Sequence, residues 1–69
     1  MLNAIKKARL IEGITQLELA RAMNVTPGAV SQWENGINMP SVSRLKELAA
    51  VLHTSVEKLL EKPEGKEVS

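Results

Sequence analysis

The 69-residue chain contains no cysteine, no aspartate, no phenylalanine and no tyrosine. Without thiols it has neither disulfide staples nor thiolate metal sites. A single histidine, His53, and the lack of aspartate leave little from which to build a nucleophile–base pair or a dyad of carboxylates. The expectation is therefore a protein that is not an enzyme, with no cofactor, no metal and no small-molecule substrate. Trp33 is the sole aromatic residue, so binding single strands by stacking bases on aromatic platforms has almost nothing to work with. No apolar run is long enough to span a bilayer and no signal-like segment is present, which points to the cytoplasm and away from membranes. A chain of this length is expected to hold one domain with a single core, stabilised by tightly packed helices.

What is present is unevenly distributed. The formal net charge is only +1, but residues 1–46 hold six Lys or Arg against three Glu, whereas 47–69 hold three against five. The basic part contains the stretch around which the chain is organised, TQLELARAMNVTPGAVSQWENG, Thr15 to Gly36. Thr15 and Glu18 are spaced as a capping box, and Leu19, Ala20 and Met23 follow at helical spacing. Asn24 sits where the chain must reverse, because Asn tolerates the left-handed conformation. Thr26 caps a second helix, Pro27 fits its first turn, where no N–H is needed, and Val30 with Trp33 forms its apolar stripe. Asn35-Gly36 closes it. Two helices joined by a tight turn, the second with an apolar back and a small polar front, form a helix-turn-helix.

The flanking segments also read as helices. Leu2 to Glu12 predicts a first helix ended by Gly13, with Leu2, Ile5 and Ala8 on its apolar face. Arg9, four residues after Ile5, leans toward that face, where it either finds a partner or bends outward to solvent. After a loop over Ile37 to Pro40, Ser41 caps a fourth helix running to about Leu52, with the stripe Leu45, Leu48, Ala49 and Leu52. His53, just past that helix, reads as a C-terminal cap or a solvent residue. Ser55 caps a short fifth helix containing Val56, Leu59 and Leu60, and Pro63 ends it. Residues 63–69 form a polar tail expected to be disordered. The predicted architecture is all-α, a compact five-helix domain over residues 1–62.

From Leu2 to Leu60 the chain resembles the Cro and phage-repressor (Xre-type) helix-turn-helix proteins. The motifs that carry the likeness are TQxELA at Thr15–Ala20, T-x-x-x-V-S-x-W-E-x-G at Thr26–Gly36, P-S-x-x-x-L-x-x-L-A-x-x-L at Pro40–Leu52 and S-V-x-x-L-L at Ser55–Leu60. The resemblance implies a lambda-repressor-like fold and a sequence-specific regulator of transcription, a repressor, that reads the major groove of double-stranded DNA with its third helix, about residues 27–35. A module of the same fold that docks to protein, as in coactivators or antitoxins, is the alternative. It also implies a buried pair between Arg9 and Glu34, and a glycine where His53 stands.

Within such a helix-turn-helix, Pro27, Gly28, Ser31 and Gln32 point outward toward base edges. Gln32 is the best reader, since its amide can give to N7 and accept from N6 of adenine at once. Pro27 and Gly28 carry no side-chain hydrogen-bonding group, unlike the polar first turns of well-known phage repressors, so modest specificity with a share from DNA shape is expected. Phosphate contacts are expected from Gln16, which matches the family's phosphate-binding Gln, and from helix N-termini at Gln16 with Leu17 and Ser43 with Arg44. Thr26 and Asn35 are further candidates. The plainer readings are a first-turn residue for Gln16, a cap for Thr26, a turn former for Asn35 and a tolerated surface cation for Arg44. One such domain touches few bases, so a symmetric homodimer on a near-palindromic site is expected. Its contact would come from Val56, Leu59 and Leu60, extended by Ile37 and Met39. A monomer that pairs only on DNA is the alternative.

Overall fold

A computed structural model describes residues 3–60 of the chain. They form five helices: α1 Ala4–Glu12, α2 Gln16–Met23, α3 Pro27–Glu34, α4 Val42–Val51 and α5 Val56–Leu59. Each begins as its sequence dictates. The side chains of Asn3, Thr15, Thr26, Ser41 and Ser55 accept the N–H three residues on, taking up donors that would otherwise lack partners. At α2 the box is complete, with Glu18 Oε1 accepting from the Thr15 N–H at 2.8 Å. The first helix thus starts at Ala4 rather than Leu2, because Asn3 is its cap. Leu2, the Pro63 stop, the boundary at 62 and the 63–69 tail lie outside the described residues.

The first four helices end alike. Gly13, Asn24, Gly36 and His53 all have positive φ, between 55° and 74°. Beyond each, the chain donates back to the helix across six residues: Ile14 to Arg9, Val25 to Ala20, Ile37 to Gln32 and Thr54 to Ala49, at 2.9–3.3 Å. This closure satisfies the last carbonyls of a helix and turns the chain sharply. Glycine adopts it freely; at His53 a side chain does so against the steric preference of L-residues. The imidazole Nδ1 lies 2.9 Å from Glu12 Oε1, linking the α4–α5 turn to the end of α1.

The helices surround one core of Ile5, Leu19, Ala20, Met23, Val30, Trp33, Leu45, Leu48, Ala49, Leu52 and Leu59, in which the sequence stripes converge. α2 packs on α3 and α4, and α1 on α3 and α5. In α5, Leu59 belongs to the core and Val56 packs against it; the helix ends at Leu59, so Leu60, expected within it, is instead its exposed C-cap. Of the apolar surface envisaged for a dimer, Leu59 is taken into the core and Val56 is half-buried, while Leu60, Ile37 and Met39 remain exposed.

Candidate nucleic-acid interface

The interface candidate starts from how α3 is held. Its inner side carries Val30 and Trp33, and also a carboxylate: Glu34 is 5% exposed. An isolated buried charge is prohibitively costly, so the surrounding elements supply donors. Arg9 Nε reaches Glu34 Oε2 at 2.7 Å and Nη2 reaches Oε1 at 3.2 Å, a two-pronged match of guanidinium to carboxylate. The third arm of Arg9, Nη1, donates to the Ile14 carbonyl at 2.7 Å. Gln16 Nε2 donates to Glu34 Oε1 at 2.9 Å. Arg9 therefore turns inward, the first of its two sequence readings. At the start of α1, Asn3 Nδ2 donates to the Trp33 carbonyl at 2.6 Å. These bonds fix α3 against α1 and α2.

With its back so anchored, α3 presents Thr26, Pro27, Gly28 and Gln32 to solvent, with Ser31 half-buried. Nothing in the domain demands glycine at position 28. Its φ is ordinary, and a Cβ built there would meet only Thr26 Oγ1, at 3.9 Å. Gln32 is not free: its Oε1 accepts from Asn38 Nδ2 at 2.6 Å. Ser31 Oγ accepts from Asn35 Nδ2 at 3.3 Å. Asn38, in the loop before α4, was not singled out from sequence; no local pattern marks a loop residue whose partner is a helix side chain brought near by a turn.

The candidate phosphate contacts divide. Gln16 is half-buried with its amide engaged by Glu34, so the sequence reading of a simple first-turn residue understates its part. At the start of α2, Thr15 accepts from the Glu18 N–H and Thr15 O from the Leu19 N–H. The N–H groups of Gln16 and Leu17 are the two that the cap does not reach. Thr26 caps α3 through Ala29 N–H at 3.1 Å and keeps its hydroxyl proton. Ser43 is exposed in the first turn of α4. Arg44 has a structural role absent from both sequence readings: its Nη1 donates to the Met23 carbonyl at 3.2 Å and to Glu47 Oε1 at 2.9 Å. It sits at the unfavourable end of its own helix but at the negative end of α2, where the dipole favours a cation. Among the described residues no helix is long and apolar enough to cross a membrane.

A family model described as "Helix-turn-helix" matches residues 5–59. Among solved structures, the chain is similar to the N-terminal DNA-binding domain of SinR from Bacillus subtilis, with 32% identity, a TM-score of 0.76 and coverage of 88% of this chain and 90% of that one. No curated protein matches.

Proposed function

Since the chain belongs to the helix-turn-helix family, the Xre- and lambda-repressor-type DNA-binding regulators, we propose that it binds duplex DNA sequence-specifically and acts as a repressor, with α3 in the major groove. The observation that carries this reading is the two-sidedness of α3. Its back is locked by Asn3, Arg9, Gln16 and the core, and its outer side offers small and polar residues without a bulky obstruction. A rigid helix with an open polar front is what entry into a groove about 12 Å wide requires.

In this arrangement Ser31 and Gln32 address base edges, and Pro27 and Gly28 allow the backbone to come close. Phosphates are met by the N–H groups of Gln16 and Leu17, the hydroxyls of Thr26 and Ser43, and the Asn35 amide, with Arg44 holding α4 to α2 beside them. Binding as a homodimer on an inverted repeat supplies the specificity that one copy lacks. The decisive measurement is duplex affinity over a range of salt on sites selected from a random library. Neutralised phosphates release counterions, so log K falls linearly with log salt. A flat salt dependence contradicts the proposal and favours a module that docks to protein; one molecule per selected site without an inverted repeat contradicts the homodimer alone.

A further inference from the structure

The outward polar side chains of α3, Ser31 and Gln32, each accept from a nearby asparagine. Gly36, at positive φ, folds the chain back so that the N–H groups of Ile37 and Asn38 lie 2.9 and 3.5 Å from the main-chain carbonyl of Gln32. This places Asn38 beside the Gln32 side chain, and its Nδ2 donates to Oε1 there. An amide whose oxygen is engaged offers its NH2 as the free arm. Ser31 follows the same rule: with Oγ accepting from Asn35, its O–H proton is left to point elsewhere. Pro27 and Gly28 add no polar side-chain atom. Gln32 and Ser31 are therefore each left with a donor to offer.

We infer that Asn38 is a specificity-determining residue that acts through Gln32: by holding the amide oxygen it turns the NH2 toward DNA, so that this face selects guanine over adenine at the base it reads. The inference rests on the duplex-binding reading above. A freely rotating glutamine satisfies adenine with both of its atoms, N–H to N7 and oxygen to N6–H. With the oxygen held by Asn38, the amino group of adenine meets another donor, whereas guanine offers two acceptors, N7 and O6. Asn38 touches no base in this account; it is a positioning residue, and exposed on the surface.

The test uses the full chain and duplexes differing only at the base pair whose preference is lost in Gln32→Ala. The wild type should favour guanine over adenine by about tenfold, a bidentate-scale difference. In Asn38→Ala the amide rotates freely, so the guanine preference should be lost and adenine favoured instead. Asn38→Asp has the same shape but only accepts, so it should capture the Gln32 NH2, turn the oxygen outward and reverse the preference toward adenine. The added negative charge weakens binding to every duplex and cancels in the ratio. Unchanged unfolding midpoints would confirm that both variants keep the fold. A wild type that prefers adenine, or an identical ranking of bases by wild type and Asn38→Asp, overturns the inference while leaving duplex binding intact. Absence of duplex binding, or of any position-specific effect of Gln32→Ala, overturns the interface itself and the inference with it.

Discussion

Gln16 and Gln32 carry the same carboxamide and are used in opposite ways. Gln16 donates to a carboxylate sealed between α1, α2 and α3, whereas Gln32 accepts from Asn38 in the open. In the inner seam, each polar group of Arg9 and Glu34 is engaged and water is excluded. On the outer face, Gln32 and Ser31 keep donors to spare. The lesson is about where a substitution registers: inside, in stability; outside, in recognition.

The largest expected effect tests the inner seam. Glu34→Ala strands the Arg9 guanidinium and should cost about 3–5 kcal/mol, a large share of the roughly 5–15 kcal/mol available to a small domain. Urea unfolding measures it, and a loss below about 1 kcal/mol would show that the pair is no better than a surface one.

Next comes the amide pair itself. Gln16→Ala removes a donor from a buried charge, so it should destabilise by about 1.5–3 kcal/mol, while its backbone N–H stays and base preference is unaltered. Gln32→Ala should leave stability within about 0.5 kcal/mol and lose roughly 1–3 kcal/mol of discrimination at one base pair per half-site. Unfolding midpoints combined with affinities on matched and mismatched duplexes separate them; equal base-specific losses in both variants would erase the contrast.

Gly28→Ala sharpens the comparison from the other direction. The site has room for the methyl group, and alanine is the better helix former, so the domain should gain about 0.5–1 kcal/mol while duplex binding weakens. Stabilised protein with unaltered affinity would mean that DNA does not approach α3 at this turn.

The smallest effect is expected far from α3. His53→Gly relieves a left-handed side chain but loosens the unfolded chain and deletes a surface contact to Glu12 that is worth little. The net change should stay within about 0.5 kcal/mol, with duplex affinity unaltered; a loss above 1.5 kcal/mol in thermal unfolding would instead make the His53–Glu12 contact a genuine brace.

Local chemistry made most of the fold legible. The caps at Thr15, Thr26, Ser41 and Ser55 and the reversal at Asn24 depend on residues within a few positions of one another, and the apolar stripes repeat at the helical period. The shifted start of α1, at Asn3, carried an ordinary signal, an Asn directly before an apolar-periodic run. Less visible were Asn38 on Gln32, Asn3 on Trp33 and Arg44 on Met23. Each joins side chains or carbonyls from different elements, so neither spacing nor propensity encodes it.

The amino-acid sequence by itself determined five helices, most of their caps and turns, and which stripe of each turns inward, because capping, left-handed closure and hydrophobic periodicity act over at most two turns of chain. Only the tertiary structure decided what the polar residues do. Packing brings Gln16 and Arg9 to one carboxylate, turns Arg44 toward the end of α2, takes Leu59 into the core with Val56 against it, and sets Asn38 against Gln32. A hydrogen bond needs its partners within about 3 Å and in line, and that condition is met only after the helices have chosen their neighbours.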